Sequence, residues 1–195
     1  LALLLAPAFT HAQAKRPNIV FILADDMGWN ALSCYGNKDL QTPNLDRLAT
    51  QGMRFTQAYA DAQCSPTRAA FLSGQYGART GVFKVLNEKE PSFAPMRSAE
   101  AKNAIGPESA TLATSLRQAG YTTGISGKWH IANSDSATWP LQRGFDRFYG
   151  FLEGTSEYFR PDDLFRGNDK ISPEGERYYT TDAFTTEAIA NLRDH

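Results

Sequence analysis

Residues Asn18 to Ala24 read Asn-Ile-Val-Phe-Ile-Leu-Ala, an apolar, β-branched run with no polar alternation. Such a run predicts a strand covered on both faces, as in the middle of a parallel sheet, because a half-exposed strand alternates. Two adjacent carboxylates, Asp25 and Asp26, stand at its C-terminal end. Ligands of open α/β sheets bind beyond the carboxyl ends of the strands, so this position bears on function as well as fold. Like charges at close range raise each other's pKa, and a divalent cation is the simplest neutraliser. With no histidine or thiolate nearby in sequence, the donors are all oxygen, which favours Ca2+, with Mg2+ as the other choice, over zinc. The plainer alternative is that the pair caps a turn.

Further along, Thr42 and Pro43 start a capped amphipathic helix, with Leu45, Leu48 and Ala49 on one face and Gly52 as its stop. Met53 to Ala60 alternates toward a second strand. Lys84 to Ser109 is polar and broken by Pro91, Pro95 and Pro107, which predicts a long surface excursion. Thr111 to Ala119 has helical spacing with Gly120 as a stop, and Tyr121 to Ser126 reads as a strand leading into Gly127-Lys128-Trp129-His130. Glu153 to Tyr179 shows no clear period, and Thr180 to Arg193 is the last predicted helix. The alternation argues for an α/β fold with a mostly parallel central sheet flanked by helices.

Charge narrows the partners. Lysine and arginine (20) balance aspartate and glutamate (21) without a basic block, which argues against nucleic acid or an anionic membrane as the main partner. Leu1 to Phe9 is a short apolar run followed by Ala12-Gln13-Ala14, so residues 1–14 read as the remnant of a secretory signal, too short to span a membrane. Export places the remaining chain, 15–195, in a periplasmic or extracellular setting, where Cys34 and Cys64, the only two cysteines, have the option of pairing.

Cys64-Ser65-Pro66-Thr67-Arg68 runs into Ala69-Ala70-Phe71-Leu72-Ser73-Gly74. Pro66 suits the first turn of a helix and Gly74 its end, so the thiol is expected at the positive end, a place for a nucleophile or an anion. The stretch resembles the motif of the sulfatase family, in which the cysteine of Cys-x-Pro-x-Arg is oxidised to formylglycine. Gln63 and Ser73 depart from the usual flanking residues, outside the Cys64, Pro66, Arg68 core. Gly120-Tyr121-Thr122-Thr123-Gly124-Ile125-Ser126-Gly127-Lys128-Trp129-His130 is similar to the second motif of the same family at every restricted position, and Asp25-Asp26 matches its N-terminal metal-binding pair. Of the three histidines, His11 lies in the signal and His195 is the last residue, which leaves His130 as the candidate imidazole acid or base.

The resemblance implies an alkaline-phosphatase-like fold, incomplete at its C-terminus, with 15–195 as the N-terminal part of the catalytic domain and the remaining metal and cationic residues beyond His195. It implies a sulfuric ester hydrolase acting on an aryl or carbohydrate sulfate, with a formylglycine-generating enzyme as maturation partner. Cys64, Arg68, Lys128 and His130 become the catalytic set, and Asp25, Asp26 and position 64 the metal contacts. In the implied mechanism one hydroxyl of the hydrated aldehyde attacks sulfur, and the other then expels sulfate. Two other readings stay open: a phosphatase or phosphonate hydrolase of the same superfamily, and a secreted non-catalytic module stapled by a Cys34–Cys64 disulfide. Gly144-Phe145-Asp146, also similar to a family segment, reads as structural.

Overall fold

In the computed structural model, which describes residues 16–86, 99–132, 134–175 and 177–194, the chain divides into two units between Gly52 and Met53. The signal-sequence reading of residues 1–14 and the middle of the polar excursion lie outside the described residues.

In the first unit, helix α1 (Pro43–Gln51) has Pro43 at its first position and Thr42 as its N-cap, and the Gly52 amide closes it on the Leu48 carbonyl at 3.0 Å. The Thr42 hydroxyl makes no hydrogen bond to the helix backbone. Instead it accepts from the Ser33 amide at 3.0 Å and donates to Asp46 Oδ1 at 3.1 Å, while Ser33 Oγ donates to Asp46 Oδ2 at 2.6 Å. This hook ties α1 to the short 3-10 turn Ser33–Tyr35. The Ser33 hydrogen bond holds the Asp46 carboxyl below its ordinary pKa, because it favours the ionised form.

The expected strand over Asn18–Ala24 does not form, and its side chains are exposed: Ile19 by 58%, Phe21 by 57% and Ile22 by 77%. Met53–Ala60 likewise has no strand, with Met53 exposed by 79% and Tyr59 by 91%. A strand is stabilised by a paired ladder and a covered face, and neither run belongs to the sheet found among the described residues.

The second unit holds the core. Helices α2 (Cys64–Ser73), α3 (Gly77–Thr80) and α4 (Leu112–Gln118) precede strand β1 (Gly124–Lys128). The capping box of α4 comes from Thr111 and Thr114, whose hydroxyls each accept the other's backbone N–H, at 3.1 and 2.8 Å. Strand β1 starts later than expected because the Thr123 amide donates to Asp146 Oδ2 at 2.8 Å rather than into a ladder. It pairs in parallel with β2 (Arg147–Phe151), in the register Ile125↔Phe148 and Lys128↔Phe151. Strands β3 (Leu164–Arg166) and β4 (Asp169–Ile171) follow antiparallel, giving a mixed sheet in the order β1-β2-β3-β4. The β3–β4 hairpin falls in the stretch without a clear period, although its turn residues Gly167-Asn168 are a hairpin signal.

Helices cover both faces of the sheet. On one side Ala69 and Leu72 of α2 share a core with Ile105, Trp129, Ile131, Phe148 and Phe165. On the other, α5 (Thr180–Arg193), which matches its predicted span, brings Phe184 against Tyr149 and Phe151 and accepts the Ser126 hydroxyl on its Phe184 carbonyl at 2.8 Å. Gly127 and Gly150 face each other across the β1–β2 ladder with φ of 127° and 158°. A Cβ on Gly150 would fall 1.8 Å from the Gly127 carbonyl oxygen, so a side chain is excluded there.

Candidate active site

Cys64 is the first residue of α2, which puts Pro66 in the first turn, as expected. Gln63 enters with extended backbone (φ −131°, ψ 155°), and the Thr67 hydroxyl fixes the approach by donating to the Asp61 carbonyl at 3.0 Å. Pro66, without an N–H, sits in the first turn, where no intrahelical donor is required. Gly74 ends the helix in the left-handed conformation (φ 66°, ψ 22°) that glycine adopts without steric cost. The half-buried thiol therefore lies at the positive end of the helix dipole. Neither Cys34 nor Cys64 is in a disulfide, so the reading of a stapled module is not borne out.

Arg68 lies one turn into α2 and is 9% exposed. Its Nη1 donates to the Lys128 carbonyl at 2.5 Å, a charge-assisted bond between groups sixty residues apart in sequence. It joins the cysteine motif to the end of β1. Beyond the end of β1 two further backbone bonds hold the chain beside the exit of β2, the Trp129 amide on the Phe151 carbonyl at 2.9 Å and the His130 amide on the Leu152 carbonyl at 3.0 Å. Trp129 and Ile131, each 1% exposed, anchor the chain on both sides of His130, and Trp129 Nε1 donates to the Thr138 carbonyl at 3.0 Å.

His130 itself is 5% exposed and has a left-handed backbone, φ 52°, which turns it out of the strand alternation. Gly154 packs on its imidazole: a Cβ there would lie 2.5 Å from Nε2. The sequence reading missed Gly154, although a glycine just after a strand-like segment is a signal for close backbone approach. Gly144-Phe145-Asp146 supports the same strand from beneath, with the Thr123 hydroxyl on the Gly144 carbonyl at 2.7 Å and the Phe145 ring edge-on to Trp129 at 5.8 Å.

Further cations and phenols of this unit serve packing. Arg143, 4% exposed, donates to the Ser109 carbonyl at 2.6 Å, and burial pulls its pKa down because the charged form is desolvated. Burial, together with a hydrogen bond to Tyr149 at 3.1 Å, pushes the Tyr178 phenol well above its ordinary value.

Cys64, Arg68, Lys128 and His130 thus belong to one unit, with Arg68 and Lys128 in direct contact, while Asp25 and Asp26 belong to the other. Asp26 has a left-handed backbone, φ 55°. Among the described residues no group of three His, Cys, Asp or Glu side chains is gathered as for a metal ion. The two carboxylates have the donor chemistry of a hard divalent cation, and because such a cation takes at least six oxygen ligands they fit as part of a larger set.

The family model described as Sulfatase matches residues 17–195. The chain belongs to the sulfatase family. Human arylsulfatase D is 41% identical over 145 residues, 71% of this chain and 24% of that protein. Rat steryl-sulfatase is 41% identical over 140 residues, 69% of this chain and 23% of that protein. The chain therefore spans about a quarter of the length of these sulfatases. Among solved structures, Ps i-CgsB superposes with a TM-score of 0.76 at 30% identity, over 92% of this chain and 42% of that one. BT4656, solved with its substrate D-glucosamine-2-N,6-O-disulfate, gives a TM-score of 0.71 at 33% identity, over 93% of this chain and 32% of that one. The alkaline-phosphatase-like α/β fold of the sulfatases is thus the fold of this chain, present as a partial domain.

Proposed function

We propose that the protein to which this chain belongs is a sulfatase that hydrolyses an aryl or carbohydrate sulfate ester, with residue 64 as formylglycine. The observation that carries this reading is the bond from Arg68 to the Lys128 carbonyl, which brings the Cys-x-Pro-x-Arg helix onto the Lys-x-His strand. Formylglycine, once hydrated, supplies a nucleophilic hydroxyl and a second hydroxyl whose deprotonation releases the sulfate. Arg68, oriented by the Lys128 carbonyl, presents a planar cation to sulfate oxygens, and the Lys128 ammonium adds a point charge. His130, turned out of the strand and packed by Gly154, would give a proton to the departing ester oxygen. Asp25, Asp26 and residue 64 would hold a divalent cation, Ca2+ or Mg2+, with ligands from the remainder of the protein, and that cation supplies charge stabilisation to the sulfate.

Maturation would need a formylglycine-generating enzyme, and the apolar leader supports export to the periplasm or medium. No helix among the described residues is long and apolar enough to cross a membrane.

The test is to co-express the complete reading frame with a formylglycine-generating enzyme, read the mass of the peptide holding residue 64, and compare turnover of 4-nitrophenyl sulfate and 4-nitrophenyl phosphate. The expected result is a peptide lighter than the cysteine form and sulfate turnover that Cys64→Ala abolishes. An unmodified thiol in active protein, or a preference for the phosphate ester, overturns the reading.

A further inference from the structure

From Leu152, whose carbonyl accepts the His130 amide, the chain leaves the sheet in a closed loop. The Asp163 carboxylate accepts from the Leu152 amide at 3.1 Å and the Glu153 amide at 3.0 Å, which pins the two ends of the loop together. Its middle is held at the start of α5, where the Thr180 amide donates to the Tyr158 carbonyl at 2.8 Å and the Thr180 hydroxyl to the same oxygen at 2.7 Å. A loop so tied is shaped before any ligand arrives, and compact loops with joined ends are frequent bearers of function.

This loop displays aromatic rings to solvent. Tyr158 is exposed by 60% and Phe159 by 66%, two neighbouring rings open to solvent. Tyr179 backs both, its ring stacked on Phe159 at 5.4 Å and tilted on Tyr158 at 5.9 Å, so the faces form one ledge. Beside the ledge an open cavity of about 510 Å³ is lined by Phe159, Arg160, Pro161, Asp162, Pro173 and Gly175. The cavity therefore has an aromatic wall, a guanidinium donor and a carboxylate acceptor.

Accepting the sulfatase reading above, on which this rests, we propose that the Tyr158–Phe159 ledge and the cavity at Arg160 and Asp162 form a subsite for a sugar ring of a sulfated saccharide substrate. A pyranose has an apolar C–H face that lies flat on an aromatic ring and a rim of hydroxyls that needs both donors and acceptors. Arg160 and Asp162 supply one of each. A sulfate-only site would not line its wall with a carboxylate, and a plain aryl site would not line it with a pair of opposite charges. Position agrees with this assignment, since Gly154, against the imidazole of His130, is only four residues from Tyr158, a span of at most about 14 Å. On this proposal a saccharide whose sulfate lies at His130 would rest another of its rings on the ledge.

Two readouts test this on the complete, formylglycine-bearing protein. In the first, saturation-transfer NMR is run with a panel of sulfated disaccharides from heparin, chondroitin and carrageenan and with their desulfated forms. Transfer from aromatic protons to sugar ring protons of at least one panel member is expected, and it should fall in Phe159→Ala and in Tyr158→Ala. In the second, KM for the saccharide sulfate that binds should rise about five- to tenfold in Phe159→Ala, with kcat kept and turnover of 4-nitrophenyl sulfate unchanged. Arg160→Ala should show the same split, and Arg160→Lys should restore part of the loss. If no panel member receives transfer, or if Phe159→Ala slows both ester classes equally, the subsite proposal is overturned. Binding of desulfated sugars by a protein that cleaves neither ester would leave the subsite standing and remove the sulfatase reading instead.

Discussion

The two units of the chain carry isoleucines to opposite outcomes. In the first, Ile22 lies in an apolar run without polar alternation and is 77% exposed, and no described residue of this unit is buried. In the second, Ile131 lies in a less apolar stretch and is 1% exposed, because β1, β2 and α2 close around it. Apolarity states that a segment is worth covering, and only a paired neighbour covers it. The order in the first unit comes instead from polar local contacts, the Ser33–Thr42–Asp46 hook and the ends of α1.

The sharpest way to break this contrast is the same truncation in both units. Ile131→Ala should cost about 2–5 kcal/mol in urea unfolding of the chain, the usual range for a buried isoleucine. Ile22→Ala should stay within about 0.5 kcal/mol. Equal losses would mean that the Asn18–Ala24 run is covered in solution, and the contrast would fail.

A smaller effect separates the helix starts. Thr111→Ala removes both a capping-box acceptor and a buried hydroxyl that donates to the Arg143 carbonyl at 2.7 Å, so about 1–2 kcal/mol should be lost. Thr42→Ala removes no bond to the α1 backbone and should cost less, about 0.5 kcal/mol. Thermal unfolding of the two variants ranks them, and the reverse order would show that the hook outweighs the box.

The least effect belongs to pH. The folded pKa of Asp46 is depressed, so its contribution is complete above the ordinary carboxylate value and is lost as pH falls through the lowered folded value. NMR titration of the Asp46 carboxyl should give a midpoint below that of a model aspartate, and Ser33→Ala should move it back up. A midpoint insensitive to Ser33→Ala would remove the hook as its cause.

Much of the second unit was legible in the sequence because its signals are local. Thr111, Gly74 and the Thr180–Arg193 period mark helix ends by backbone chemistry that no neighbour alters. The cysteine and Lys-x-His motifs named Cys64, Arg68, Lys128 and His130, yet nothing in either motif tells that Arg68 donates to the Lys128 backbone rather than to a side chain. That contact depends on how α2 packs on the sheet, a long-range event. Asn18–Ala24 was misread for the same reason, since a run suited to a central strand becomes one only where ladders flank it. The 152–163 loop escaped because its closure rests on single side chains, Asp163 and Thr180, which leave no period.

The meeting of Gly127 with Gly150 constrains what inheritance can do to this molecule. Every single-base change that replaces a glycine with another amino acid adds a side chain, and at Gly150 that side chain would meet the carbonyl of Gly127 at 1.8 Å. Yielding would pull β1 from β2, and with it the backbone that presents the Lys128 carbonyl to Arg68. Neutral drift at Gly150 is thus closed, and a saturation library of this chain should return almost nothing but glycine in that column.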